Sequence, residues 1–346
     1  SSDVCSSDLV TTHFDYHSID HNLLKLDILG HDDPTMIKTL EEYISSPAMD
    51  NEYNETDNRF DATKIPLDDP GVISLFHDTS ALGIKPDDIG GCPVGCLGIP
   101  EFGTDFVIQM VVDTKPNTIS DLIRISGLSH GTNVWLGNAQ ELVKSGKATI
   151  STAICTRDDI MIYLINKGVE SALAFTIMES VRKGKGLKPE WEEAMKAQDV
   201  PDWYIWSCKK ISYMFPKAHA AAYVMMAYRI AYCKINYPLA YYGAYFGIRA
   251  DAFSYAIMCQ GKDKLNYYMK DYKKRSDTLT KKEQDVMKDM KIVQEMYARG
   301  LEFMPIDIYK AKARECQIID GKIMPPLSSV EGLGDKACEQ DRKSVV

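Results

Sequence analysis

Tyr213-Met214-Phe215-Pro216-Lys217-Ala218-His219-Ala220-Ala221-Ala222-Tyr223 changes character at Pro216, from an aromatic loop to an alanine-rich stretch that predicts a helix from Lys217 onward. It lies inside a window, Trp203 to Ala250, that carries Lys209, Lys210, Lys217, Arg229, Lys234 and Arg249 and no Asp or Glu, although the whole chain has a formal charge of -9. Aromatic residues interleave with these cations, among them Tyr213, Phe215, Tyr223, Tyr228, Tyr232 and Tyr237. Such a mixture offers charge to phosphates and ring faces to bases. The plainer alternative is a packed aromatic helix bundle whose lysines snorkel. For any single tyrosine that alternative is the better reading, but the missing acids tip the segment as a whole toward a polyanion.

Working outward, the middle of the chain reads as helical. Thr156-Arg157-Asp158-Asp159 has the spacing of a capping box ahead of the apolar run Ile160 to Ile165, with a stop at Gly168, which puts Arg157 in a first turn. A second helix, Ser171 to Val181, runs into Arg182-Lys183-Gly184-Lys185-Gly186, cations near a helix C-terminus on a glycine hinge. A third begins near Asp202. Downstream, Thr280 opens an amphipathic helix with Val286, Met290, Val293 and Tyr297 on one face, closed by Arg299-Gly300. Cys316 to Leu327 predicts a hairpin turned at Asp320-Gly321. Val330-Glu331-Gly332-Leu333-Gly334 resembles the glycine turn of a helix-hairpin-helix, whose backbone N–H groups hold DNA phosphates, although a lone Gly-Leu-Gly is a weak signal.

Nearer the start, Leu23-Leu24-Lys25-Leu26-Asp27-Ile28-Leu29 reads as a buried strand with Leu24, Leu26 and Ile28 on one face. Gly30 ends it, and Asp33-Pro34 launches a helix through Met36, Ile37, Leu40 and Ile44. From Ser45 to Thr63 apolar periodicity disappears and acids dominate, the pattern of an exposed insertion. A Gly- and Pro-rich stretch then leads to Gly98-Ile99-Pro100-Glu101-Phe102-Gly103, a loop before a helical segment near Phe106 to Val112.

A chain of 346 residues is long enough for two or three domains with a sizeable core. No run approaches the roughly 18 apolar residues a membrane span requires. The acidic balance excludes a uniformly basic nucleic-acid coat, so any polyanion site must be local. Nine scattered cysteines are unlike a secreted disulfide framework and fit a reducing cytoplasm. Cys92 and Cys96 are a close pair, read as thiols on a loop because no second pair with ligand spacing follows. Residues 1–10 and 341–346 read as artefactual extensions, and the first of them lacks the features of a signal peptide.

Asp15-Tyr16-His17-Ser18-Ile19, Leu23 through Pro34, Leu97 through Gly103, Ile125-Ser126-Gly127-Leu128-Ser129-His130-Gly131-Thr132, Trp135 through Gln140, Arg157 through Met161, Met178 through Gly186 and Tyr213 through Tyr223 form an ordered series of strings. Together they resemble the PolC-type DNA polymerase III alpha subunits, the C-family replicative polymerases of bacteria. The resemblance covers roughly residues 11–340 and implies an internal fragment. Residues 11–45 would be the end of the palm, 46–63 an acidic insertion, 64–254 the fingers and 255–340 the start of a duplex-binding helix-hairpin-helix region. The fold class is then mainly α with a small β component: helical fingers, a remnant palm strand and a truncated helix-hairpin-helix-like region.

The resemblance further implies template-directed transfer of dNTPs to a primer 3′-OH in chromosomal replication, with two Mg2+ ions held by three palm aspartates. Asp27 matches the third of these, as both catalytic residue and metal ligand. Taken alone, Asp27 is better explained as a strand carboxylate paired with Lys25. The implied partners are primer-template DNA, dNTPs and, for the full-length protein, the sliding clamp and replisome, with no membrane. The expected place is the cytoplasm, at the nucleoid.

Fingers must neutralise a triphosphate. Arg157 is the first candidate, because a guanidinium and a helix N-terminus there act on the same oxygens; its alternative is a surface arginine paired with Asp158 or Asp159. Lys217 and His219 come second, and Ser129 and His130 sit in a glycine-flanked loop that could shape the nucleotide pocket. As a nucleophile and base that pair fails, since adjacent residues rarely face each other and no orienting carboxylate is evident. Candidates for DNA contacts are Lys209, Lys210, Arg182, Lys183, Lys185, Gly332 and Gly334. Phe215 or Tyr223 could stack on the templating pair, with a core role equally well supported. With one palm aspartate the chain by itself is expected to be inactive. The competing reading is a non-enzymatic DNA-binding helical module, separable by whether joining it to a palm restores Asp27-dependent extension.

Overall fold

Local chemistry sets most helix boundaries. The computed structural model describes residues 13–19, 21–24, 30–49, 51–53, 58–334 and 338. In chain order the longer helices are α1 (Asp32–Ile44), α2 (Asp105–Thr114), α3 (Ile119–His130), α4 (Arg157–Lys167), α5 (Ser171–Arg182), α6 (Pro189–Ala197), α7 (Asp202–Lys210), α8 (Lys217–Asn236), α9 (Pro238–Ala244), α10 (Lys262–Lys274) and α11 (Lys281–Ala298). Thr104 and Thr118 accept from the third backbone N–H of α2 and α3, and Thr280 with Glu283 closes a full capping box on α11. At α4 only the acid's half forms: Asp159 accepts from the Thr156 N–H at 2.9 Å, while the Thr156 hydroxyl is buried without a partner. Asp320 and Gly321, with φ of 50° and 71°, turn the predicted hairpin, pairing β1 (Gln317–Ile319) with β2 (Lys322–Met324). The protein is mainly α with this one small sheet among the described residues.

Residues 1–31 and 32–346 form two separate compact units. In the first, Tyr16–Ile19 makes one helical turn. Leu24, expected on the buried face of a strand, is 85% exposed. Residues 25–29, and with them Asp27, lie outside the described residues.

In the second unit α8 is central, packed against α1, α3 and α9. It buries Val224, Ala227, Tyr228, Ile230 and Ala231. Tyr204, Tyr228, Tyr241, Tyr242, Tyr245 and Phe246 are all buried, so about half of the thirteen aromatic residues of the Trp203–Ala250 window are core. The window's charge segregation is likewise undone in space. Lys234 is fully buried, its Nζ 2.8 Å from Glu295 of α11, 2.8 Å from the Gly95 carbonyl and 2.6 Å from that of Leu97. Lys209 pairs with Glu192 at 2.8 Å and Arg249 with Asp33 at 2.9 Å. Acids from outside the window neutralise cations inside it.

The stretch expected to be an exposed insertion is anchored at its C-terminal end. Phe60 is buried, edge-on to Tyr53 and Tyr237 at 5.3 Å each, and the Glu41 carboxylate accepts from the Ala62 N–H at 2.8 Å. A single aromatic anchor has no period to detect. The Cys92 and Cys96 thiols both donate to backbone carbonyls, of Val94 and Leu75.

Candidate nucleotide site

Three helix ends meet near Phe215. Gly127 allows the first approach: a Cβ there would stand 2.7 Å from the Cys155 carbonyl, so only glycine lets α3 lie against the entry to α4. Thr132, just past α3, pairs as a β-bridge with Tyr213. The Arg157 N–H donates to the Phe215 carbonyl at 3.1 Å, joining α4 to the loop that starts α8. The Lys217 N–H then donates to the Asp158 carboxylate at 2.7 Å. Asp159 accepts from the N–H groups of Cys155 and Thr156, with the Lys217 Nζ 3.9 Å away. Both acids of the Arg157-Asp158-Asp159 string are therefore used as caps. The half-buried Arg157 guanidinium has no carboxylate within 4 Å among the described residues, so its pairing with Asp158 or Asp159 does not occur.

A strip of rings runs beside this junction. Tyr213 and Phe215 lie 5.8 Å apart, Phe215 and His219 4.9 Å, and His219 and Tyr223 4.5 Å. His130 joins from α3, 5.2 Å from Phe215. Tyr213 is 45% exposed and Phe215 half-buried, so this part of the window, unlike its tyrosine core, faces outward.

Glu101 is the residue that sequence reading passed over. It holds a left-handed φ of 68°, and its carboxylate lies 3.2 Å from His130 Nε2 and accepts from Ser126 Oγ at 3.2 Å. The one available signal was its place between Gly98 and Gly103. Ser129 Oγ does face His130, 3.1 Å from Nδ1, and Glu101, distant in sequence, supplies an orienting carboxylate. Even so the line is no nucleophilic triad. Nδ1 lies closer, at 2.8 Å, to the Ser126 carbonyl, an acceptor that calls for a proton on that nitrogen, and the Ser129 hydroxyl donates to the same carbonyl. Ser129 and His130 also border a cleft of about 640 Å³ that continues past Gly98 and Thr104 to Arg249, Lys288 and Lys291.

The remaining candidates are held elsewhere. Arg182 and Lys183 both engage Glu179, and the Arg182 hydrogen bond is the main force holding that carboxyl down to about 2. Gly184, with φ of 71°, presses against Ser212, and the Met214 N–H donates to the Arg182 carbonyl at 3.3 Å, so this hinge abuts the Tyr213 loop. Lys185 is exposed, without a carboxylate partner among the described residues. Lys210 donates to the Gly137 carbonyl at 2.9 Å and lies over Trp206. Gly332 has φ of 83° and is exposed, as is Gly334; residues 335–337 lie outside the described residues.

The family profile described as the bacterial DNA polymerase III alpha subunit finger domain matches residues 33–199, which include Glu101, Ser129, His130 and Arg157. A DNA polymerase III PolC-type of Caldanaerobacter subterraneus subsp. tengcongensis is 49% identical over 99% of this chain. The chain belongs to the PolC-type DNA polymerase III family. The PolC-type proteins of Bacillus subtilis and Listeria monocytogenes are 51% and 52% identical over 97% and 98% of the chain. The chain spans only 22–24% of the length of these PolC-type relatives.

Proposed function

We propose that this chain supplies the fingers of a DNA-directed DNA polymerase that adds dNTPs to a primer 3′-OH during chromosomal replication. The observation that carries the reading is the junction of the α4 and α8 N-termini, where Arg157, Lys217 and His219 stand beside one exposed aromatic strip. A guanidinium and an ammonium side by side act together on phosphate oxygens, and the ring strip offers a surface for a base pair. Because Asp158 and Asp159 are already satisfied as caps, they leave the Arg157 charge for the triphosphate. Asp27 would be this chain's ligand to the Mg2+ ions, which in such polymerases activate the primer hydroxyl and hold the departing pyrophosphate. Primer-template DNA is the macromolecular substrate, and clamp and replisome are partners of the complete protein in the cytoplasm. Among the described residues no helix is long and apolar enough to cross a membrane.

The test is a chimera in which this chain replaces the matching segment of the Bacillus subtilis relative. Arg157→Ala removes a charge-assisted contact of about 1.5–3 kcal/mol, so the KM for dNTP rises about 10- to 100-fold while the affinity for primed DNA holds. Asp27→Asn abolishes extension. An unchanged KM in the Arg157 variant refutes the nucleotide site.

A further inference from the structure

We infer that the outer face of α10 is a docking track for single-stranded DNA. This helix lays Leu265 and Tyr272 against the protein and packs along α11. Around the other side, at helical spacing, stand Lys262, Lys270, Lys273 and Lys274, all exposed. None of the four has a carboxylate within 4 Å among the described residues, whereas the neighbouring Arg275 is held by both Asp271 and Glu283. On a chain of net charge -9, four unneutralised ammonium groups along one helix are a local concentration of positive charge. Asp263, in the first turn, shares this face, and Asp271 stands at its edge one turn past Tyr267, where Arg275 neutralises it.

The same face carries Tyr267, 71% exposed, one turn from Lys270 and two turns from Lys274, braced edge-on by Tyr268 at 5.4 Å. A ring projecting among lysines suits a strand whose bases are free to stack, since a duplex keeps its base faces covered. Lysines on either side would take the phosphates. A single-stranded template is the occupant this chemistry fits, and the inference leans on the polymerase reading only for the presence of template.

The experiment is fluorescence anisotropy of the full chain with labelled oligo(dT) across a salt series, with no nucleotide added. The Lys270→Ser, Lys273→Ser, Lys274→Ser triple variant should weaken binding and flatten the log K against log salt slope by about 2, at about 0.7 per phosphate contact on a single strand. Tyr267→Ser should weaken binding by about 5- to 100-fold and leave the slope unchanged. Equal thermal unfolding of the variants and the unaltered chain establishes that they fold. A triple variant with unaltered slope overturns the track. Tighter binding of duplex than of oligo(dT), indifferent to Tyr267, overturns the single-strand assignment. The dNTP KM of the chimera reports separately on the nucleotide site.

Discussion

Replacing Lys234 by Met should destabilise this protein more than any surface change. The ammonium group is fully buried, and its three close partners are the Glu295 carboxylate and the carbonyls of Gly95 and Leu97. Burial pulls the lysine below its ordinary range and Glu295 pulls it back, so the pair persists only while both members are present. Methionine fills a similar volume but leaves Glu295 with the Tyr242 hydroxyl as its remaining close donor, at 2.6 Å, and its other oxygen already lacks a partner. Breaking a buried pair from one side costs about 3–5 kcal/mol. That is a large share of the roughly 5–15 kcal/mol that stabilises a typical domain. Adding Glu295→Gln removes the stranded charge and should recover at least half of the loss, the remainder being the Gly95 carbonyl, which no longer has a donor, and the Leu97 carbonyl, which keeps only the Tyr241 hydroxyl at 3.2 Å. Urea unfolding of the full chain, followed by circular dichroism, reads both variants. The network also pins Leu97, which lines the cleft beside His130, so the single variant should raise the dNTP KM of the chimera. A single variant that loses less than about 1 kcal/mol, or a double variant that is worse than the single, would refute this account of the core.

Asp289 of α11 is buried, with one oxygen accepting from the Ala252 N–H at 2.7 Å and the other unpartnered, and burial raises its carboxyl from the ordinary 3.8 to about 6. A raised carboxylate favours the folded state while protonated, so its contribution falls as pH rises from about 4 to 6, by about 3 kcal/mol at 1.36 kcal/mol per unit. Subtracting the pH–stability profile of Asp289→Asn should expose that fall, and superimposable profiles would contradict it. Glu179→Gln frees Arg182 and Lys183 and should tighten DNA binding a few-fold at low salt; weaker binding would show that these cations do not face DNA. Because Glu179's carboxyl is held down, chiefly by Arg182, its modest stabilisation is present above its ordinary 4.5 and is lost as pH falls toward 2, a loss the glutamine variant should not show.

Helix starts and the hairpin were legible in the sequence because their causes lie within four residues. Thr280 reaches Glu283, Asp320-Gly321 closes a two-residue turn, and Pro216 precedes the first turn of α8. The nearness of Arg157 and Lys217 was signalled only by their shared suitability for phosphate, and the structure joins them through the Phe215 carbonyl and Asp158. Charge balance was not legible at all. Whether Lys234 meets solvent or Glu295, whether Glu101 orients His130, and whether Phe60 anchors an acidic stretch each depend on residues far apart in the chain. Composition records which charges exist. Only packing decides which are left unpaired, because a carboxylate neutralises a cation across a few ångströms of space regardless of the length of chain between them.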